Sequence, residues 1–165
     1  MYAKILVPID GSETSARGLN EAIKIAKGQD SQLRLVHIVN EFILDYTYSP
    51  ALYAGNLIET LVKQGREVLD TAEKAAKREG VKADTVLIES IGGVAADLIL
   101  AQAKQWPADL IVMGTHGRRG FARLAMGSDA EQVVRAAMVP VMLVRGVAQQ
   151  GKVTPEVTLL KASAA

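Results

Sequence analysis

Residues 113–128 contain the side chains and glycines best suited to chemistry. Gly114 and Gly117 let the backbone approach a ligand closely. Gly127 and Ser128 precede a helical pattern, where free N–H groups and the helix dipole favour an anion. Arginines lie between these glycines and add positive charge: Arg118, Arg119 and Arg123. Glycines, a hydroxyl, arginines and a helix start together predict a phosphate-binding loop.

The same segment also has a purely structural interpretation. Residues 128–131 (SDAE) have the spacing of a capping box, in which Ser128 would cap the helix without any ligand. The glycines could serve a tight turn, and the arginines could be solvated. The combination of residue types favours phosphate binding.

Asp10 follows the first apolar run and is a second candidate. Its carboxylate could accept hydrogen bonds from a ribose. Alternatively, Asp10 is an acid near a helix start at which Ser12 is the N-cap. Taken alone, the position of Asp10 indicates an acid near a helix start rather than a ribose ligand.

Five strand-like runs alternate with four helical patterns and must position these residues. Strands are predicted at 4–9, 32–39, 83–89, 109–113 and 139–145, and helices at 13–27, 57–79, 94–104 and 129–137. Runs rich in Val, Ile and Leu are typical of parallel strands buried on both faces. The alternation predicts a three-layer α/β/α fold with an open parallel five-stranded sheet. Ligands bind such sheets beyond the carboxyl ends of the strands, where the winding reverses.

Residues 1–146 are predicted to form one domain, followed by a tail at 147–165. The tail could be a swapped arm, an added edge strand or a frayed end. The connection at 40–55 carries three tyrosines and could be a binding loop, a lid or a plain surface loop. His37 lies near the end of the second strand and is expected to be packed rather than catalytic.

Composition excludes several classes of function. The 165 residues carry a net charge of +1, which argues against nucleic acid as the main ligand. The absence of cysteine excludes disulfides, thiolate zinc sites and a cysteine nucleophile. The N-terminus does not resemble a signal peptide, and no apolar run is long enough to span a membrane. A cytoplasmic location is therefore expected.

The sequence resembles the universal stress protein family from Ala3 to Arg145. Residues 4–12 (KILVPIDGS) look like the family's first strand and turn, and residues 139–145 (VPVMLVR) look like its last strand. The signature of the nucleotide-binding branch, G-x2-G-x9-G-S/T, is present in full: Gly114, Gly117, Gly127 and Ser128.

This resemblance implies a Rossmann-like fold of the adenine nucleotide alpha hydrolase-like class, with strand order 3-2-1-4-5. Strands one and four are then neighbours, which places Asp10 beside Gly114. The implied ligand is ATP, or AMP or ADP, with Mg²⁺ or Mn²⁺. By the same resemblance Asp10 would hold the ribose, Pro8 and Ile9 would line the base, and the backbone of Ile38 would contact the adenine edge.

The resemblance also implies which residues surround the phosphates. These follow the fourth strand or open the last helix: Met113, Gly114, His116, Gly117, Arg118, Arg119, Gly127, Ser128 and Asp129. His116 either contacts a phosphate or is exposed in the loop. Position 129 is usually small or apolar in the family, and an Asp129 carboxylate near a triphosphate repels it unless it points away or binds the metal.

Two functions are compatible with these features. The first is an ATP-binding regulatory protein of the stress response, with at most slow hydrolysis, because no general base and no Walker lysine are evident. The alternative is a dimeric protein-interaction module that does not use nucleotide. It would be a homodimer through the edge strand at 139–145, as the family commonly is, and charging Val141 and Leu143 together would break it. A phosphoacceptor receiver is disfavoured, because Asp10 has no adjacent acidic residue.

Overall fold

The computed structural model describes residues 1–40, 51–90, 92–115 and 126–146, with residues 51–56 as backbone only. Strands and helices alternate along this part of the chain. The strands are β1 Lys4–Pro8, β2 Gln32–Asn40, β3 Ala83–Ser90, β4 Leu110–Gly114 and β5 Val141–Val144. The helices are α1 Glu13–Gln29, α2 Ala51–Arg78, α3 Ala95–Gln105 and α4 Ser128–Ala136.

The strands form one parallel sheet in the order β3-β2-β1-β4-β5. This confirms the predicted fold class and strand order. The winding reverses between β1 and β4, since the chain moves outward from β1 to β3 and then returns to β4. The carboxyl ends of these two strands therefore form the edge at which a ligand is expected.

Each face of the sheet is covered by two helices, which explains the continuous apolar strands. On one face α1 and α2 pack against alternate residues such as Ile5, Val7 and Leu33. On the other face α3 and α4 pack against the intervening residues, such as Leu6 and Ile111. In the described residues no helix is both long and apolar enough to cross a membrane.

Several element boundaries differ from the sequence prediction. Helix α2 begins at Ala51, six residues before the predicted start, and α4 begins at Ser128, one residue early. Strand β5 is shorter than predicted, and its pairing with β4 begins where Ile111 N–H donates to the Pro140 carbonyl at 3.0 Å. The segment at 41–50 and the tail from 147 onward lie outside the described residues.

An ion pair joins β2 and β3 near their amino ends, far from the expected ligand edge. Arg34 and Asp84 are register partners, and the guanidinium donates to both carboxylate oxygens at 2.9 and 2.7 Å. This hydrogen bonding raises the pKa of Arg34 above its ordinary value. Arg34 also stacks on Trp106, with 4.8 Å between the guanidinium carbon and the ring centroid. The pair joins two neighbouring strands at positions that are register partners and lies away from the candidate site.

Candidate functional site

A tight turn built by three residues connects β1 to α1. Gly11 has a φ of +82°, a left-handed conformation that favours glycine. Asp10 Oδ1 accepts a hydrogen bond from the Ser12 N–H at 2.9 Å. Ser12 is the N-cap of α1, as predicted, and its Oγ accepts from the Ser15 N–H at 3.1 Å. The turn therefore holds the half-buried Asp10 carboxylate at the start of α1.

His37 lies beside this turn and is packed, as expected from the sequence. Its side chain is only 2% exposed, and Nδ1 lies 2.6 Å from the carbonyl oxygen of Ile9. Because a carbonyl oxygen only accepts, Nδ1 must carry the proton in this bond. Burial keeps the imidazole away from any ligand at the edge of the sheet.

The end of β4 lies directly against the first turn of α1. A β-carbon at position 114 would lie 2.9 Å from the carbonyl carbon of Thr14 and 3.0 Å from its oxygen. Real β-carbons do not approach backbone so closely, so position 114 requires glycine whether or not a ligand is present. The first glycine of the signature thus has a structural role that the sequence did not indicate.

The chain returns to β4 at the start of α4. Gly127 N–H donates to the Thr115 carbonyl at 2.9 Å, and Thr115 N–H donates to the Val144 carbonyl at 3.0 Å. These bonds bring Gly127 and Ser128 to the carboxyl end of β4. Since β1 and β4 are adjacent, the start of α4 lies at the same edge of the sheet as Asp10.

The capping box that was the structural alternative for residues 128–131 does not form at the start of α4. Gly127, not Ser128, is the N-cap, and glycine has no side chain with which to cap the helix. Glu131 N–H donates to the Gly127 carbonyl at 2.9 Å, which is the first helical bond. The bond from Gly127 to Thr115 fixes the last extended residue at 127, so Ser128 is already helical. The first N–H groups of α4 precede this bond and, as at any helix start, have no partner within the helix.

The other predicted site residues lie around this edge in different environments. Pro8 is half-buried, and Ile9 is 5% exposed with its side chain in the core beneath α1 and α2. Ile38 lies beyond Val36, at which the pairing of β2 with β1 ends. Met113 is buried in the core beneath α3 and α4, and Asp129 is exposed in the first turn of α4. The remaining residues lie outside the described part of the chain: His116, Gly117, Arg118, Arg119 and Arg123.

A groove of about 650 Å³ runs between α1 and α2 and begins at the turn after β1. Its lining includes Asp10 and Ser12 at one end, Leu19 and Val68 along its length, and Arg78 at the other end. Sequence reasoning did not predict this groove. The end of the groove at Asp10 adjoins the carboxyl ends of β1 and β4, but most of its lining residues belong to α1 and α2.

The comparison of the chain with protein families decides its classification. The family model described as the universal stress protein family matches residues 1–145. The chain belongs to the universal stress protein family. A curated universal stress protein of Methanocaldococcus jannaschii is 38% identical over 146 residues, which cover 88% of this chain and 83% of the relative.

Solved structures of universal stress proteins share the fold. One from Burkholderia pseudomallei is 32% identical, has a TM-score of 0.69, and is matched over 87% of this chain and 96% of its own. Two others contain a nucleotide, one universal stress protein in complex with cAMP and one from Archaeoglobus fulgidus in complex with dAMP. Each is 24% identical with a TM-score of 0.61, covering 87% of this chain and 97% or 98% of theirs. At this identity, these two complexes establish the common fold.

Proposed function

We propose that this universal stress protein binds an adenine nucleotide at the carboxyl ends of β1 and β4 and acts as a nucleotide-dependent regulatory protein. One observation carries the proposal: the hydrogen bond from Gly127 to Thr115 brings the start of α4, whose N-cap has no side chain, to the edge that also presents Asp10. An anion site and a carboxylate at one edge suit the phosphate and the ribose of a single ligand. The cAMP and dAMP complexes of other family members support adenine as the base.

The phosphates are proposed to bind at the start of α4. The N–H groups of Ser128 and Asp129 precede the first helical hydrogen bond, and the helix dipole favours an anion there. His116, Gly117, Arg118 and Arg119 are proposed to complete this part of the site, as the family signature implies. Gly114 and Met113 contribute the backbone at the end of β4.

The ribose and the base are proposed to bind at the end of β1. Asp10 would accept hydrogen bonds from the ribose hydroxyls, and Pro8 and Ile9 would border the base through their backbone and the half-buried proline ring. The backbone of Ile38 would contact the adenine edge, because β2 continues beyond its pairing with β1. Hydrolysis would be slow at most: Asp10 is held by Ser12 N–H, and the buried His37 bonds to a carbonyl.

A divalent cation, Mg²⁺ or Mn²⁺, would accompany a triphosphate. The described residues contain no group of three acidic or histidine side chains that could hold a metal ion alone. The exposed start of α4 nevertheless offers the Ser128 hydroxyl and the Asp129 carboxylate, which are oxygen ligands of the kind that Mg²⁺ prefers. These two would hold the cation together with phosphate oxygens, and the cation would neutralise phosphate charge.

The nucleotide content of the purified protein tests the proposal. The protein is denatured, and the supernatant is separated by ion-exchange chromatography. An adenine nucleotide near one equivalent per chain is expected from wild-type protein, and much less from an Asp10→Ala variant. A wild-type protein that carries no nucleotide and cannot be loaded with AMP or ATP would contradict the proposal.

Without a divalent cation, Asp129 is expected to make the site discriminate against ATP. Its exposed carboxylate repels the more highly charged triphosphate more than a monophosphate, although solvent screens the effect. With the metal removed by EDTA, Asp129→Asn should therefore strengthen ATP binding about three- to tenfold and AMP binding less than about twofold, measured by calorimetry. The matched control is Asp97→Asn in the first turn of α3, which should change neither. An equal gain for both nucleotides would contradict this role.

Dimerisation through the β5 edge is a second proposal, favoured by exposed apolar side chains. Within the described residues β5 pairs only with β4, and Met138 is 98% exposed. Met142 and Val134 are exposed nearby on β5 and α4. An open strand edge flanked by apolar side chains suits a second copy of the chain.

Charging this edge should convert a dimer to a monomer. Val141 and Leu143 pack against the core beneath α3 and α4, so charges there would damage the fold as well. Met138→Glu with Met142→Glu changes exposed side chains only, and sedimentation velocity should show the monomer. Val94→Glu, at an exposed apolar residue before α3, should leave the dimer intact. A wild-type monomer, or a double variant that still dimerises, would contradict the proposal.

A further inference from the structure

His37 occupies an unusual position for a buried histidine, because it connects three elements. It lies on β2, on the same face as Leu35, and is almost fully buried. Its Nδ1 contacts the Ile9 carbonyl oxygen just beyond β1 at 2.6 Å. Its opposite edge lies against Gly65 of α2.

The bond to Ile9 acts on the peptide unit from which Asp10 emerges. The Ile9 carbonyl and the Asp10 nitrogen belong to one planar peptide group, so fixing the carbonyl fixes the orientation of that plane. On its other side Ile9 N–H donates to the Val36 carbonyl at 2.8 Å. Both backbone polar groups of Ile9 therefore bond to β2. These bonds fix the backbone from which the Asp10 side chain extends.

The contact with Gly65 holds the imidazole in place. A β-carbon at position 65 would lie 2.7 Å from His37 Cδ2, 3.1 Å from Nε2, and 2.8 Å from Leu87 Cδ1. The α2 backbone thus lies directly on the ring, and only glycine permits this approach. The ring cannot swing away from the Ile9 carbonyl unless α2 also moves.

We propose that His37 is a positioning residue of the nucleotide site. It fixes the Asp10 carboxylate through the Ile9 carbonyl. Because α2 packs against the His37 ring, the position of Asp10 also depends on the position of α2. It does not itself contact the nucleotide. This inference rests on the proposed function, in which Asp10 holds the ribose.

Two variants of nearly equal shape test this role. In His37→Asn the amide nitrogen lies close to the position of Nδ1 and can still donate to the Ile9 carbonyl. In His37→Leu the donor is lost. Calorimetric titration with AMP should show an affinity about tenfold or more weaker for His37→Leu and within about threefold of wild type for His37→Asn. Equal affinities for the two variants would overturn the proposal.

A double-mutant cycle separates positioning from a general loss of structure. In an Asp10→Asn background, His37→Leu should weaken AMP binding by less than about twofold, because its effect is transmitted through the carboxylate already removed. The same tenfold loss in both backgrounds would overturn the proposal. If His37→Leu does not fold, His37→Gln replaces it, because its longer side chain places the amide near Nε2 rather than Nδ1. A wild-type protein that binds no AMP would contradict the proposed function itself, whereas wild-type binding with no difference between the variants contradicts only the role of His37.

Discussion

Replacing Gly127 with valine should weaken ATP binding at least about a hundredfold, a loss of about 2.7 kcal/mol, while the protein stays folded. Gly127 has φ −64° and ψ 150°, a conformation that valine adopts without strain. Its N–H bond to the Thr115 carbonyl can also persist. A branched side chain would then stand at the open start of α4, where the phosphates are proposed to bind.

The controls for this variant separate obstruction from unfolding. Gly127→Ala adds one methyl group and should cause a smaller loss. Gly28→Val lies in α1, where nothing stands within 4 Å of an added β-carbon, and should change ATP affinity by less than about twofold. Affinity is measured by calorimetry and folding by circular dichroism. Wild-type affinity in a folded Gly127→Val protein would show that phosphates do not bind at α4.

Replacing Gly114 with alanine should lower the free energy of unfolding by about 3 kcal/mol. The added methyl group would overlap the backbone of Thr14, which cannot move aside as a side chain can. Helix α1 would have to shift away from β4, and the buried contacts between these two elements would loosen. Valine at this position should be worse, because its two methyl groups add to the same overlap.

Urea unfolding followed by circular dichroism measures this effect. Gly28→Ala is the matched control: it changes a glycine of α1 in open space and should raise the free energy of unfolding by about 0.5–1 kcal/mol. A Gly114→Ala protein as stable as wild type would contradict the described packing of α1 against β4.

The sequence allowed the layers of the fold to be predicted, because burial on two faces leaves a direct mark on composition. The centres of β1 (5–7, ILV) and β4 (110–112, LIV) contain only Val, Ile and Leu. Ser12 is recognisable as a cap from its residue type and position. The strand order came from family resemblance instead, since no local pattern encodes which strands pair across the sheet.

The details of the site depend on contacts between residues distant in sequence, which local patterns do not reveal. The start of α4 is set by the bond from Gly127 to Thr115, so the capping box that the residue types at 128–131 suggest as an alternative does not form. Gly114 is required by Thr14, a hundred residues earlier, and nothing near either residue indicates this contact. Gly65 offered a usable signal, because an isolated glycine inside a helical pattern often has a packing reason.

Calorimetric titration of the nucleotide-free wild-type protein with ATP and AMP, with and without Mg²⁺, tests the central proposal most directly. We expect both nucleotides to bind with micromolar dissociation constants, and Mg²⁺ to strengthen ATP binding more than AMP binding. A folded protein that binds neither nucleotide at millimolar concentration would contradict the nucleotide site. The alternative, a protein-interaction module that dimerises through the β5 edge, would then be favoured.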